Sequence, residues 1–163
     1  MTRPWPPQAC RVSLPRAGGA AAGHIATGTA LANTAEDPRR LCAWRQAQQH
    51  RLTRTPTQSR VLAYVLVRSA QDFSGRLALA RRHAEGQGLH VVRTVVEEHW
   101  RTDPLLRPGL AGALAAIRRR EADGLVCVSR TDISSSGALY VAFLHVLHGA
   151  DGFLSLQRAE TTP

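Results

Sequence analysis

His145 and His148 stand one helical turn apart near the end of the chain, a spacing that could bring two imidazoles to one metal ion. No carboxylate, cysteine or third histidine lies at a spacing that would complete the ligand set, so no metal site is expected. Cys10, Cys42 and Cys127 show no C-x-x-C pairing. Their odd, sparse number suits a reducing cytoplasm, and Cys127 reads as a small buried residue inside an apolar run. The chain lacks a G-x-G-x-x-G turn, a G-x-x-x-x-G-K-[ST] loop and a G-x-S-x-G elbow. Dinucleotide, P-loop and elbow-serine chemistry are therefore unsupported, and no cofactor is expected. Three polar or basic segments remain as candidates for a site: Arg68-Ser69, Glu97–Trp100 and Ser129–Ser136 (S-R-T-D-I-S-S-S).

All three segments follow apolar runs, and the elements around them explain how they could meet. Val61–Val67 (VLAYVLV) is a continuous aliphatic and β-branched run, expected of a strand buried on both faces. Leu77, Ala80 and Ala84 then repeat at helical spacing and stop at Gly86 and Gly88. Leu89–Glu98 reads as a second strand. Pro108 suits the first turn of a helix whose buried stripe is Leu110, Ala113, Leu114 and Ile117. Asp123-Gly124 turns the chain into a third strand, Leu125–Val128. Leu139, Phe143, Val146 and Leu147 mark another helix, and Phe153–Leu156 a last short strand. The order β-α-β-α-β-α-β predicts an α/β three-layer domain, a mostly parallel sheet of about four strands with helices on both faces. Ligands in such folds sit beyond the carboxyl ends of the strands, where the three polar segments fall.

Residues 1–60 read as a Pro-, Ala- and Gly-rich basic extension, disordered or partly helical and poorly packed up to about residue 55. A weakly amphipathic helix is expected after Asp37-Pro38, with Leu41, Trp44, Ala47 and Gln48 on one side. A misassigned start codon would also produce such a leader. The domain is placed at 61–157, with 158–163 as a tail. All 21 basic residues are arginine, a bias typical of GC-rich coding, and the formal net charge is +9. The extension holds nine arginines against Glu36 and Asp37, whereas residues 61–163 hold twelve against ten acids. Weak, nonspecific attraction to a polyanion is expected, mostly through the extension, including Arg45, Arg51 and Arg54. No stretch is long and apolar enough for a membrane span, and residues 17–32 are too rich in Gly, Thr and His for a signal peptide.

The succession A-Y-V-L-V-R-S, V-V-x-x-V-V-E-E, R-P-G-L opening a helix, and D-G-L-V-C-V before S-R-T-D-I-S-S-S resembles the catalytic domain of serine recombinases of the resolvase/invertase family. The resemblance covers about 95 residues, with Arg107-Pro108-Gly109-Leu110 its best single match and Tyr64 at the family's first-strand Tyr. It implies transesterification at DNA phosphates: a Ser attacks phosphorus, and arginines stabilise charge on the phosphoryl oxygens without a metal. The family's Y-x-R-x-S pattern, counted from Tyr64, places Leu66 at the Arg and Arg68 at the Ser, with Ser69 one residue late. One residue in a strand turns a side chain to the other face. Without a gap, the D-R-L-[SG]-R cluster falls on Thr131, Asp132, Ile133, Ser134 and Ser135; slid by one to set its Asp on Asp132, it leaves Ile133 and Ser136 at the Arg positions, so either register loses both guanidiniums. Arg107 survives, with Arg130 and Arg68 as candidate support.

Three readings follow. The first is a recombinase-like module without strand cleavage, touching DNA weakly through Arg107, Arg130 and the extension, or assembling with itself or a recombinase partner. The second is an active recombinase using Ser69 with Arg107. The third is a partner- or ligand-binding domain on the same fold. The resemblance also implies a long helix and a DNA-binding domain after the last strand, which Gln157–Pro163 is too short to supply.

Overall fold

The computed structural model describes residues 37–55, 57–67, 73–98 and 101–161. Four strands, β1 (Arg60–Leu66), β2 (His90–Glu97), β3 (Gly124–Cys127) and β4 (Phe153–Leu156), form one all-parallel sheet in the order β2-β1-β3-β4. The expectation of a sheet centred on Val61–Val67 therefore holds. Every residue from Val61 to Leu66 and from Gly124 to Cys127 is buried, as required of central strands covered on both faces.

The apolar run at Leu89–Glu98 behaves differently. β2 lies at the sheet edge, and Val92 and Val96 are exposed. Its β-branched composition reflects fitness for the pleat, not burial on two sides.

Among the described residues five α-helices pack around the sheet: α1 (Pro38–Thr53), α2 (Phe73–Gly86), α3 (Pro108–Arg118), a single turn α4 (Arg130–Ile133) and α5 (Gly137–Gly149). On one face Leu62, Tyr64, Leu125, Cys127 and Leu154 meet Leu110, Leu114 and Ile117 of α3 and Phe143 and Leu147 of α5. On the other, Val61, Val126 and Phe153 meet Ala80 and Ala84 of α2. The expected α3 stripe is the buried one. In α5 the stripe is rotated, with Tyr140 and Leu144 buried where Leu139 and Val146 were expected, because Tyr140 turns its hydroxyl to an internal carboxylate. No described helix is long and apolar enough to cross a membrane.

The largest correction concerns α1. The segment expected to pack poorly is a docked helix, begun by Asp37, whose carboxylate accepts from the Arg39 N–H, and burying Leu41, Cys42 and Arg45. It runs along the free edge of β4. There the Arg45 Nη1 donates to the Leu154 carbonyl (3.3 Å) and the Gln48 amide to the Gly152 carbonyl (3.4 Å). An edge strand left bare would be a template for another chain. The supposed tail is also docked. Arg45 holds the Glu160 carboxylate with two parallel bonds, Nε to Oε1 at 2.6 Å and Nη2 to Oε2 at 3.0 Å, and the Tyr140 hydroxyl donates to the same carboxylate at 2.7 Å. Both charged side chains are buried, at 3% and 0% exposure. The folded unit thus reaches back to residue 37 and forward to residue 161.

Trp44 of α1 packs on His145 and His148 of α5, with ring centroids 4.8 and 4.7 Å away. Burial first, then neighbouring His145 and Arg51, lowers the His148 imidazole to a pKa of about 4. A histidine depressed in the fold takes up its proton more readily unfolded. Its stabilising contribution is therefore complete above the unfolded value of ~6.5 and is lost as pH falls towards 4. Urea midpoints should decline across this window, and His148→Leu should flatten the decline. A midpoint as high at pH 4.5 as at pH 7 would contradict this account.

Candidate functional site

The carboxyl ends of β1, β2 and β3 converge on a network of charged side chains. β2 ends at Glu97, buried at 3% exposure, whose Oε2 accepts the Gly109 N–H at 2.6 Å. A Cβ at position 109 would lie 2.5 Å from that oxygen, so only glycine brings the backbone close enough. This explains three letters of R-P-G-L. Pro108 occupies the first helical turn, Gly109 leaves room for Glu97, and Leu110 enters the core.

The fourth letter is Arg107, at 1% exposure. Its Nε donates to the Arg101 carbonyl at 2.7 Å, and its Nη1 donates to the Asp132 carbonyl at 2.9 Å and reaches the Tyr64 hydroxyl at 3.5 Å. Burial pushes the Tyr64 hydroxyl well above the usual phenol range, and the neighbouring guanidinium partly opposes this. Tyr64 is thus a neutral phenol aimed at Arg107.

Beyond β3 the polar loop is partly helical. Asp132, at 2% exposure, accepts the Ser129 N–H on Oδ2 at 3.1 Å and so caps α4, while its Oδ1 is ion-paired with Arg76 of α2. The Arg76 side chain is 31% exposed, and its Nε is buried without a partner among the described residues. Asp132 therefore ties α2, on one face of the sheet, to Arg107, at the start of α3 on the other.

The structure brings together Tyr64, Arg107 and Asp132 from the expected site and adds Arg76 and Glu97. Arg68 and Ser69 lie outside the described residues. Arg130 stands at the rim, its guanidinium 5.6 Å from the centre of the Tyr140 ring and donating to the Ser135 carbonyl at 3.1 Å. Arg45 corrects a sequence expectation: a buried side chain in an ion pair is no surface for DNA. Arg51 and Arg54 are exposed on and just beyond the last turn of α1, with Arg51 3.5 Å from Asp151. Arg76 carries no sequence signal, because its partner lies 56 residues away. Glu97 carries one: a carboxylate follows the apolar pair Val95-Val96 at the end of its strand.

Chemically, two guanidiniums and two carboxylates balance here. A phosphate approaching Arg107 and Arg76 also meets Asp132 and Glu97, each able to offset several kcal/mol of attraction at ~4 Å. Among the described residues no carboxylate pairs directly with Arg107.

The fold has solved counterparts. The N-terminal catalytic domain of TP901-1 integrase matches with a TM-score of 0.55 and 18% identity, over 61% of this chain and 78% of that one. The C-terminal catalytic domain of ISC1926 TnpA, an IS607-like serine recombinase, matches with a TM-score of 0.53 and 15% identity, over 61% and 70%. No family model matches the sequence, and no curated protein matches it. The all-parallel α/β architecture is that of a resolvase-like catalytic domain.

Proposed function

We propose that the protein is a serine-recombinase-like module, related to site-specific DNA recombination, that does not cleave strands. It acts in the cytoplasm through weak DNA contact, or through assembly with itself or a recombinase partner. The observation that carries this reading is Asp132. Read without a gap, the resemblance implies a phosphate-stabilising Arg at this position, and the chain has a buried carboxylate held by Arg76 and the Ser129 N–H; slid by one, it still leaves no Arg in the cluster. Its partner Arg107 is turned inward onto carbonyls. Each missing transition-state donor removes ~3–4 kcal/mol of stabilisation. Purified protein should not nick supercoiled DNA at any salt concentration, and denaturing gels should show no protein–DNA adduct. An adduct abolished by Ser69→Ala would replace this reading with that of an active recombinase.

Contact with DNA, where it occurs, is electrostatic and indifferent to sequence, because phosphate contacts carry no base information. Arg51 and Arg54, exposed on and beyond the end of α1, support it, with Arg130 at the rim. Fluorescence anisotropy on a random duplex should show affinity falling steeply with salt. Arg51→Ser/Arg54→Ser should reduce the log–log slope by about 1–2. Tight, salt-insensitive or sequence-selective binding would contradict this.

A further inference from the structure

Away from that network, α1 and α2 stand apart over the carboxyl half of β4 and leave a groove of about 900 Å³. This volume lies within the range of small-molecule sites, roughly 300–1,000 Å³. Its floor is polar. The Ser155 hydroxyl, 2% exposed, sits 3.0 Å from the His83 Nε2. Burial, and secondarily Arg45, lowers the His83 pKa, so the floor pair is neutral at physiological pH.

Charge is confined to the walls. Arg82 on α2 and His50 on α1 line the groove, both exposed, and neither is paired with a carboxylate among the described residues. Arg45 also lines it but is already neutralised by Glu160. Among the described residues no acidic side chain lines it. Four carboxamides, Gln46, Gln49, Gln87 and Gln157, also line it beside the apolar Leu156 and Ala159, each amide offering both donors and acceptors.

We propose that this groove binds a hydroxyl-rich phosphate monoester of pentose-phosphate type. The phosphate lies at the rim between Arg82 and His50, and the hydroxyls point to the carboxamides and the Ser155–His83 pair. The lining selects this class on three grounds. A dianion finds the unopposed Arg82 guanidinium on one wall and the ring N–H donor of His50 on the other. The neutral floor and the amides match hydroxyls, which both donate and accept. Among the described residues no Phe, Tyr or Trp lines the groove to stack a nucleobase, which disfavours a ligand recognised through its base.

Titration calorimetry of the full chain with ribose 5-phosphate is the test, with ribose and inorganic phosphate as separate arms. One saturable site per chain is expected, at least ten-fold tighter than either fragment. Arg82→Gln should weaken it about ten-fold with no change in thermal midpoint, because this side chain is exposed and unpaired. Ser155→Ala should weaken ribose 5-phosphate but leave inorganic phosphate unaffected. A DNA backbone offers phosphodiester monoanions without free sugar hydroxyls, so a single-stranded oligothymidylate should not compete, and competition by it would overturn the proposal. Lack of saturable binding up to about 10 mM, where even a millimolar affinity would register, would overturn the proposal. Equal affinity for inorganic phosphate, or indifference to Arg82→Gln, would do the same.

Discussion

Replacing Arg45 by Ala is expected to destabilise the protein by about 3–5 kcal/mol, the cost of leaving a buried carboxylate without its partner. The carboxylate concerned is that of Glu160, whose side chain is fully buried and whose other side-chain partner among the described residues is the Tyr140 hydroxyl. The Leu154 carbonyl at the β4 edge loses a donor in the same change. For a folded unit of this size each kcal/mol shifts the thermal midpoint by about 3–5 °C, so a fall of about 9–25 °C should be seen. Restoring balance should recover much of the loss: Arg45→Met combined with Glu160→Leu should be markedly more stable than Arg45→Met alone. Removing residues 1–59 takes away α1 with Leu41, Cys42 and Arg45 together. The remainder should fail to give a cooperative transition at 25 °C. A cooperatively folding fragment starting at Arg60, or an Arg45→Ala midpoint within about 2 °C of the parent, would show that α1 is only appended.

Arg107→Ala should cost a similar ~3–5 kcal/mol, although Arg107 is the residue that the serine-recombinase resemblance would assign to phosphate. At 1% exposure its guanidinium binds the Arg101 and Asp132 carbonyls and approaches Tyr64, so truncation leaves buried acceptors unsatisfied around a cavity. Arg107→Lys keeps the charge but cannot reach in several directions with a planar fork, and should recover less than half of the loss. Circular dichroism melts of the two variants are the measurement. An Arg107→Ala protein as stable as the parent would mean that the guanidinium is free to serve a ligand. If DNA affinity then fell, Arg107 would be a phosphate contact outright.

The sheet was legible in the sequence because its central strands are buried on both faces, which leaves uninterrupted apolar runs at Val61–Val67 and Leu125–Val128. α3 was legible for the complementary reason: Leu110, Ala113, Leu114 and Ile117 repeat at helical period, and all are buried. α1 was not legible as a packed element. It buries two apolar residues and an arginine, and no local pattern distinguishes a buried Arg from the exposed Arg39, Arg40 and Arg51 of the same helix. In the site, Arg107 and Tyr64 were found through the resemblance. The Asp132–Arg76 pair was not, because ion pairing across 56 residues leaves no trace in spacing. Asp132 reads in sequence as a lost Arg, whereas in the fold it caps α4 and joins the two helical layers.

The Arg45–Glu160 pair closes a loop of 115 residues, and this separation governs when the molecule can become complete. During synthesis the segment of α1 emerges first, yet its partner strand β4 and Glu160 come last. At ~5–20 residues per second the helix waits several seconds or more before its docking surface exists. A 16-residue helix alone in water is marginal, so the segment stays unstructured for that interval. Cys42, wholly buried once α1 docks, is open to a thiol reagent until then. Its protection on stalled nascent chains of increasing length therefore marks the moment of closure, which should fall only after residue 160 has cleared the ribosome.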